Sequence, residues 1–491
     1  MIISGVFTGL IQVWLTVPFA AFFSLIPLMC HVKNYKYKRK FYADILAFLI
    51  PYYFIQTSFL FTVKNLMELS FLIEIFLSAL LVVAVTLWLT LLMFVPLVFY
   101  PIARRSDNAD LLRFSALFVL GEGLSEYVPF LSFPWSGLWE TLISEPLLIQ
   151  PAALLGCRFL SFVILIINGL IALVFYERRL KRALFNAGLC AIILFANIGY
   201  SILHISNIKS DNAKLTPIKV MTAQDNVMGR EKNKLNLNDA VNSYISIMSD
   251  NWQNGIDIVL LPETAMPKNF DKKSSGFLKL QNFAKEHNTT LLAGCFKTIN
   301  QKKYNAMYSV SSNGYCTMPY LKQILVPFGE KIPFASLFGL TTLSSGGDSN
   351  NHCLLTENDI KTANVICIES IYPSLTRQQI KNGGQLLCIS TNDSWFGRSY
   401  ARLAHFRHSI MRAIESGRYT IRAGNCGVSA IITPWGELEA CEVNPIKTAI
   451  CADVHPTERQ NLYIKTGDII LIFGVVIIFK AILSLIFHRG K

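Results

Sequence analysis

The sequence predicts an α/β domain inserted between an N-terminal bundle of transmembrane helices and one C-terminal transmembrane helix. Hydrophobic residues make up 52% of the 491-residue chain and charged residues only 16%, below the quarter that is usual for soluble proteins. Long apolar runs fill residues 1–205 and 469–487, whereas 216–456 alternates short β-branched runs with amphipathic segments. A membrane protein that carries one globular domain accounts for both observations.

Seven segments are apolar and long enough to cross a bilayer, which takes about 20 helical residues. They are residues 1–30, 43–63, 71–100, 114–131, 151–175, 183–204 and 469–487, the first with a bend expected at Pro18. The first six form a predicted bundle over 1–205, and a polar linker follows at 206–215. The α/β domain takes 216–456. The last span lies in a C-terminal region, 457–491, with a short tail that carries Arg489 and Lys491 and that we expect in the cytoplasm.

The positive charge of the chain is concentrated in three loops. A formal net charge of +13 could indicate nucleic-acid binding, but segments 31–40, 102–113 and 177–182 account for +9 of it and each follows an apolar run. Cytoplasmic loops of membrane proteins are rich in Lys and Arg. We therefore expect no nucleic-acid partner and a 216–456 domain outside the cytoplasm. The N-terminus lacks a basic start and a small-residue cleavage site, so no cleavable signal peptide is expected.

Within 216–456, short β-branched runs predict strands, and apolar residues three or four apart predict helices. The predicted strands are 218–223, 256–261, 290–295, 306–311, 363–368, 385–389, 420–432 and 449–454, and the predicted helices are 240–248, 277–286 and 403–414. Strands that alternate with helices indicate a layered α/β domain.

Three polar residues in this domain follow predicted strands or lie on loops. Glu263 follows an apolar run in L-P-E-T-A-M-P, Lys322 precedes a proline-rich loop that contains Glu330, and Cys367 ends the run V-I-C. A lone cysteine is usually inert packing. Together, however, a thiol, a carboxylate and an ammonium can act as nucleophile, proton acceptor and oxyanion donor.

These motifs resemble the apolipoprotein N-acyltransferase family, the membrane branch of the nitrilase superfamily. The resemblance rests on Glu263 in L-P-E-T-A-M-P, Lys322 eight residues before the Glu330 of V-P-F-G-E, and Cys367 in V-I-C-I-E. The segment T-N-D-S-W-F-G at 391–397 and the run from Arg412 to Gly427 are similar to two further family motifs. The similarity is good over 216–468 and looser over the N-terminal half.

The resemblance implies a nitrilase-like αββα sandwich and an acyltransferase of the bacterial inner membrane. It implies transfer of an acyl chain from a phospholipid, through a cysteine thioester, to the N-terminal amine of diacylglyceryl-cysteine in apolipoproteins. Cys367 is then the nucleophile, Glu263 the general base, and Lys322 the oxyanion donor that also lowers the thiol pKa. Glu330 and Glu369 match two supporting acids, for which scaffolding and direct chemistry stay open. We expect a monomer without a cofactor.

Several positions depart from the family pattern. Ile368 follows the nucleophile where the family usually has tyrosine, Asp225 replaces a glycine, and no tryptophan lies between Gln224 and Leu235. The family has eight spans where seven are predicted here. The triplet F-P-W at 133–135 matches the family, but its nearby arginine is absent. These differences bear on substrate choice more than on the chemistry.

Other residues have a structural interpretation beside a functional one. We expect Trp395 and Phe396 to pack in the core, and His405 and His408, three residues apart on a helix, to lie on a packed or solvated face rather than to bind metal. Glu122 is an intramembrane acid and hence a functional candidate, as is Glu126 unless it lies at the membrane interface. Eleven cysteines without a CxxC pair give no metal signature. Eight of them follow residue 205, which permits disulfides, but we expect Cys367 to be free.

Two other functions stay open. The chain could be a membrane-anchored amidase or hydrolase of the same superfamily, with water as the acyl acceptor. It could also be a transport or assembly protein with an inactive nitrilase domain. The presence of Glu263, Lys322 and Cys367 together argues against an inactive domain, because a decayed site would be free to lose them.

Overall fold

The structure is a computed structural model that describes residues 1–14, 17–66, 70–105, 109–129, 131–270, 273–313, 318–327, 329–331, 344–348, 353–397 and 399–488. The chain divides into two compact units, 1–206 with 465–491, and 207–464. Of the sequence motifs, Phe328 and residues 332–333 of the loop after Lys322 lie outside the described residues, as do Arg489 and Lys491, which the orientation prediction places in the cytoplasm.

The first unit is helical. Its helices are α1 Ile2–Trp14, α2 Ala21–Ser24, α3 Ile26–Asn34, α4 Lys38–Thr57, α5 Phe71–Leu97, α6 Tyr100–Ala103, α7 Asp110–Tyr127, α8 Pro146–Ile149, α9 Ala152–Leu155, α10 Cys157–Tyr176 and α11 Leu180–Asn212, whose last turns belong to the second unit. Short 3₁₀ helices occur at Pro18–Ala20, Ser58–Leu66 and Leu138–Leu142. Two helices near the C-terminus are α17 Leu462–Thr466 and α18 Ile470–His488.

Among the described residues, five helical stretches are long and apolar enough to cross a membrane. They are Lys38–Thr62, Phe71–Ala103, Cys157–Tyr176, Leu180–Asn212 and Ile470–Phe487. The bend expected at Pro18 is confirmed, because α1 ends at Trp14 and a 3₁₀ helix begins at Pro18. That residues 1–30 form one span stays a prediction. The predicted span at 114–131 corresponds to α7, which carries four charged residues. The count of seven spans stays a prediction.

A buried ionic cluster lies in the helical unit. Arg158 near the start of α10 donates to Glu126 of α7 and, over 2.7 Å, to Asp468 just before α18. The hydroxyl of Tyr127 donates to the same Asp468 over 2.7 Å. Glu122, one turn earlier on α7, accepts the Leu138 N–H over 2.9 Å. Buried charges in proteins are normally paired, and Arg158 here satisfies two carboxylates from two other elements.

The second unit contains two β-sheets. Its strands are β1 Ile218–Gln224, β2 Ile256–Leu260, β3 Met266–Asn269, β4 Thr290–Ile299, β5 Lys302–Val310, β6 Tyr320–Leu321, β7 Leu354–Leu355, β8 Lys361–Ile366, β9 Leu386–Asn392, β10 Thr420–Asn425, β11 Ser429–Ile432, β12 Leu438–Glu442 and β13 Thr448–Val454. The first sheet has the order β13-β1-β2-β4-β5-β6, with β3 also paired to β4, and the second has the order β12-β11-β10-β9-β8-β7.

Helices cover the outer face of each sheet, and the two inner faces pack on each other. The helices of this unit are α12 Gly229–Lys234, α13 Leu237–Asp250, α14 Ser275–His287, α15 Pro373–Lys381 and α16 Ala401–Ser416. One apolar cluster joins α13 and α14 to the first sheet, a second joins the two sheets, and a third joins α16 to the second sheet. This arrangement is the predicted αββα sandwich.

Most predicted strands and all three predicted helices are confirmed to within a few residues. The single strand predicted at 420–432 is wrong, because the chain turns at Cys426 and Gly427 and returns antiparallel as β11. The strand predicted at 363–368 ends at Ile366, and a 3₁₀ helix, Cys367–Ile371, follows it.

The strand directions bring the candidate residues together. In the first sheet β1, β2 and β4 are parallel, and in the second β8, β9 and β10 are parallel. Functional residues of parallel sheets gather beyond the carboxyl ends of the strands. The Ser390 hydroxyl of β9 donates to the Leu261 carbonyl over 2.9 Å, which fixes the two sheets to each other beside these ends.

Candidate active site

Cys367 is the first residue after β8 and is almost fully buried. Its φ of 55° lies in the left-handed region, which costs a residue with a side chain about 1–3 kcal/mol. Several hydrogen bonds hold this backbone. The Ser370 hydroxyl donates to the Cys367 carbonyl over 2.8 Å, and His405 Nε2 lies 3.0 Å from the same oxygen. The thiol is therefore presented from a tight turn instead of from the pleat of a strand.

Glu263 lies in the turn after β2 and is 5% exposed. Its Oε1 accepts from Lys322 Nζ over 2.9 Å and from Asn305 Nδ2 over 2.7 Å. Its Oε2 accepts from the Asn392 backbone N–H over 2.9 Å. Three donors from three separate strands or strand ends thus fix the carboxylate in one orientation.

The turn that carries Glu263 requires a glycine on the neighbouring strand. A Cβ on Gly294 of β4 would lie 2.3 Å from the Pro262 carbonyl oxygen and 2.9 Å from Glu263 Cα. Only a residue without a side chain allows this close backbone approach. Gly294 therefore helps to determine where Glu263 lies.

Lys322 follows β6 and is 1% exposed. Its Nζ donates to Glu263 Oε1 over 2.9 Å and to Glu330 Oε2 over 2.8 Å. Burial opposes the charge of the ammonium, but the two carboxylates outweigh burial and raise the Lys322 pKa well above its ordinary value. The lysine is thus a fixed cation between two anions.

The expected direction of the effect of Lys322 is confirmed, since its charge lowers the pKa of the Cys367 thiol, but that pKa is raised overall. Burial is the largest effect on Cys367 and raises its pKa, and the charge of Glu263 raises it further. Lys322 lowers it, but by too little to reverse the balance. The resting thiol is therefore neutral at physiological pH, and a base must take its proton when the sulfur reacts.

Glu330 and Glu369 have different surroundings. Glu330 contacts Lys322 directly, and its Oε2 also accepts the Val326 N–H over 2.9 Å. Burial would raise the Glu330 pKa, but Lys322 together with the hydrogen bonds to the carboxylate lowers it below its ordinary value. Asn305 Nδ2 lies between Glu330 and Glu263, at 3.1 Å from Glu330 Oε1.

Glu369 ties the loop after Lys322 to the turn that holds Cys367. Its Oε1 accepts the N–H groups of Gln323 and Ile324, over 2.6 and 3.1 Å. Its Oε2 accepts the Ile366 N–H over 2.6 Å and the Tyr320 hydroxyl over 2.8 Å. Burial raises the Glu369 pKa to about 7 against the effect of these bonds. Of the two interpretations left open, this geometry favours scaffolding.

A buried cluster behind Cys367 was not anticipated as part of the site. Asp393 Oδ1 lies 2.8 Å from His405 Nδ1, and Arg422 donates to Asp393 Oδ2 over 2.7 Å. Burial would raise the Asp393 pKa, but Arg422 and His405 lower it far below its ordinary value. His405 thus links this cluster to the Cys367 carbonyl. The signal was present, because Asp393 and Arg422 both lie in the family-like motifs.

The other side chains singled out from the sequence have mixed outcomes. Phe396 is half-buried and packs edge-on against His405, but the expectation of a core position for Trp395 is wrong, since it is 46% exposed. His405 and His408 are both buried. No cluster of metal-ligating side chains occurs among the described residues.

The cysteines and the departures from the family pattern can also be placed. Ten of the eleven cysteines are described, and Cys367 is free. Ile368 is buried next to Cys367. Asp225 accepts the Ser243 hydroxyl over 2.8 Å and lies 3.4 Å from Lys447. Where the family tryptophan is absent, the chain forms the short helix α12.

Two family models match the chain, one for each unit. The carbon-nitrogen hydrolase model matches residues 227–454, and the apolipoprotein N-acyltransferase N-terminal domain matches 4–170. The sandwich with its buried carboxylate, lysine and cysteine defines a protein of the carbon-nitrogen hydrolase, or nitrilase, class. The second match adds a membrane unit that is specific to one branch of it.

Curated relatives carry the name of that branch over most of the chain. Apolipoprotein N-acyltransferase of Wigglesworthia glossinidia brevipalpis is 27% identical over 366 residues, covering 71% of this chain and 70% of the relative. The enzymes of that name from Pseudomonas putida and Haemophilus influenzae are 29% and 26% identical and cover 74% and 81% of this chain, and 72% and 78% of their own lengths. The chain belongs to the apolipoprotein N-acyltransferase family. It is a multi-pass protein of the bacterial inner membrane.

Solved structures give a weaker likeness, confined to part of the chain. Saccharomyces cerevisiae Nit3, a member of branch 10 of the nitrilase superfamily, is 17% identical with a TM-score of 0.40, and it covers 52% of this chain and 96% of its own. The C. elegans NitFhit protein has the same identity and TM-score and covers 51% of this chain and 63% of its own. The fold assignment rests on the family models and the strand order instead.

Proposed function

We propose that the protein transfers an acyl chain from a membrane phospholipid to the N-terminal amine of diacylglyceryl-cysteine in apolipoproteins. The acyl chain is carried as a thioester on Cys367. The observation that carries the proposal is the buried Glu263–Lys322 ion pair, at 2.9 Å, whose two charges act in opposite directions on the Cys367 thiol. It occurs in a chain whose family matches include both the hydrolase domain and the membrane unit.

The first half-reaction forms the thioester. Glu263 takes the proton of the neutral thiol while the sulfur attacks the ester carbonyl carbon, and Lys322 donates to the developing oxyanion. Collapse of the tetrahedral intermediate breaks the carbon–oxygen bond. The leaving lysophospholipid oxygen takes the proton from Glu263, so that the carboxylate is restored.

The second half-reaction forms an amide. The neutral α-amine attacks the thioester carbonyl carbon, and Glu263 takes one proton from the nitrogen. The intermediate collapses by breaking the carbon–sulfur bond, and the proton on Glu263 returns to the thiolate. Because a thioester links the two steps, donor and acceptor react in turn at the same groups. We propose that the protein acts as a monomer and without a cofactor.

The raised thiol pKa supports this assignment of roles. A thiol that is neutral at rest resists oxidation and alkylation, and it becomes nucleophilic only with Glu263 as its proton acceptor. Lys322 cannot serve as the base, because its own pKa is raised and its Nζ is already a donor to two carboxylates. Of the two carboxylates that accept from Lys322, Glu263 is the one whose charge acts strongly on the Cys367 thiol, and we assign it as the proton acceptor.

Acyl transfer to a defined acceptor tests the function. Detergent-solubilised protein would be incubated with phospholipid and a diacylglyceryl-cysteine peptide, and the products separated by mass spectrometry. We expect an N-acylated peptide with wild type and with Cys388→Ala, which removes a buried core cysteine, and none with Cys367→Ala. A peptide with a blocked amine is the control for the acceptor. Formation of free fatty acid without the amide product would instead support a hydrolase. If no acyl chain is released from the phospholipid at all, a non-enzymatic role would be supported.

The orientation of the catalytic domain is a separate proposal. We propose that the unit from 216 to 456 faces the periplasm, which the basic loops of the sequence support. A reporter that is active only in the cytoplasm, fused after Lys214, should be silent. Activity of that reporter would reverse the proposed topology.

A further inference from the structure

A second buried lysine contacts the backbone of the residue proposed as the base. Lys232, on the short helix α12, is 7% exposed, and its Nζ donates to the Glu263 carbonyl oxygen over 2.7 Å. In the part of the chain that the structure describes, no carboxylate oxygen lies in ion-pair range of this ammonium. A buried cation without a carboxylate partner is costly, so its retention calls for a role.

The bond from Lys232 reaches a strained point of the chain. Thr264, whose peptide nitrogen is joined to that carbonyl, has a φ of 48° and is buried. A non-glycine residue held in the left-handed region costs about 1–3 kcal/mol and persists only where its surroundings hold it. The Ala265 N–H donates to the Pro262 carbonyl over 3.1 Å and closes the turn. The Lys232 bond fixes the carbonyl in the middle of this turn.

The segment that carries Lys232 is also connected to the Glu263 carboxylate. The Val227 N–H donates to Asn425 Oδ1 over 3.0 Å, and Asn425 Nδ2 donates to the Asn392 side-chain oxygen over 2.8 Å. The Asn392 backbone N–H in turn donates to Glu263 Oε2. Residues 227–232 are thus linked to both ends of Glu263, to its carbonyl directly and to its carboxylate through two asparagines.

We propose that Lys232 is a positioning residue of the acyl-transfer site, which holds the Glu263 turn in the conformation that points the carboxylate at the thiol. The inference rests on the proposed function and adds a residue to it. Lys232 acts through Glu263 and takes no part in bond making or breaking. Its charge matters because a charged donor makes the stronger hydrogen bond to a carbonyl.

The charged state of Lys232 depends on pH near neutrality. Burial lowers its pKa to about 8, against the charges of Glu263, Cys426, Asp225 and Cys367, which raise it. Further charged groups act on these residues: Lys447 beside Asp225, Lys322 beside Glu263, Asp393 near Cys367 and Cys426, and Arg402 and Glu231 near Cys426. Lys232 is therefore mostly charged below pH 8 and loses its charge as the pH rises through that value. Arginine at this position would keep its charge over the whole range.

The test compares Lys232→Met and Lys232→Arg with Lys234→Met, which removes an exposed lysine from the same helix. Single-turnover thioester formation would be measured from pH 6 to 10, together with thermal unfolding. We expect Lys232→Met to form the thioester about 10²-fold more slowly, the scale for a misplacement of about 1 Å in an active site. Lys234→Met should match wild type. In wild type the rate should fall above about pH 8, and in Lys232→Arg this fall should be absent.

A well-folded Lys232→Met with the wild-type rate would overturn the inference, as would a fall above pH 8 that persists in Lys232→Arg. If Lys232→Met does not fold, the pH profiles of wild type and Lys232→Arg decide alone. A second readout needs no lipid: the rate of Cys367 alkylation by iodoacetamide, followed by peptide mapping. If Lys232→Met is alkylated more slowly than wild type and wild type transfers no acyl chain, the positioning role is upheld and the proposed function is overturned.

Discussion

Replacing Lys322 with methionine tests the arrangement of charges at the site most severely. Methionine has a similar length but no charge and no donor. The substitution removes the hydrogen bonds of 2.9 and 2.8 Å to Glu263 and Glu330. It also removes the positive charge that lowers the Cys367 pKa, while the charges of Glu263 and Asp393, which raise that pKa, remain. Both the stability and the chemistry should change, and the two changes can be separated.

The stability change follows from the two carboxylates that remain. Glu263 and Glu330 would share Asn305 Nδ2, at 2.7 and 3.1 Å, without a cation between them. Removing one partner of a buried ion pair costs about 3–5 kcal/mol, and one of two close carboxylates then takes up a proton. Adding Glu330→Gln removes the second carboxylate. The double variant Lys322→Met/Glu330→Gln should therefore be more stable than Lys322→Met alone.

The chemical change should survive this rescue. Losing one oxyanion donor lowers turnover about 10²–10³-fold, and neither variant has another cation in contact with Glu263 Oε1. We expect both variants to form thioester at least about 10²-fold more slowly than wild type. Single-turnover acylation measured by quenched-flow mass spectrometry, beside thermal unfolding in detergent, gives both quantities. Lys322→Met that keeps more than about a tenth of the wild-type rate, or a double variant less stable than the single one, would refute the reasoning.

Three further predictions concern Asn305 and Glu369 in the α/β unit and Arg158 in the helical unit. Asn305→Ala should slow acylation about tenfold, because Glu263 loses a hydrogen-bond donor. Asn305→Asp should slow it more, because it also places a third carboxylate beside Glu263 and Glu330; single-turnover rates measure both effects. The raised pKa of Glu369 means that stability should fall by about 3 kcal/mol as the pH rises from about 4.5 to 7, since the unfolded carboxyl ionises first. Thermal unfolding in Glu369→Gln should lack that slope. Arg158→Met should lower stability by about 3–5 kcal/mol by leaving Glu126 and Asp468 buried together, and Glu126→Gln should recover part of this loss.

The strand positions could be predicted because the local pattern of apolar residues determines them. The run before Glu263 and the run before Cys367 both form strands, one in each sheet. Contacts from β9, which neighbours the Cys367 strand, to Leu261 and Glu263 place these strand ends at the same edge of the sandwich. The turn at Cys426 could not be predicted, because apolar residues continue on both sides of it and hide the reversal. A φ of 54° at a cysteine has no sequence signal.

The groups that surround Glu263 were less accessible to sequence reasoning. Asn392 lies in the family-like segment at 391–397, but Asn305 and Lys232 lie on other elements, outside the motifs, and nothing near them in sequence marks them as neighbours of Glu263. The net direction of the Cys367 pKa shift also could not be predicted from the sequence, because it depends on how burial and Glu263 balance Lys322, and burial is a property of the folded sandwich. Trp395 was misjudged because aromatic residues usually pack in cores.

In the proposed mechanism Cys367 carries the acyl chain. The most direct measurement is the intact mass of purified protein after incubation with phospholipid and without acceptor. Wild type and Cys388→Ala should gain one acyl-sized mass that hydroxylamine removes, and Cys367→Ala should gain none, because losing such a nucleophile costs many orders of magnitude. A hydroxylamine-sensitive mass gain that persists in Cys367→Ala would contradict this role of Cys367. So would the absence of any such mass gain from wild-type protein that is active in acyl transfer.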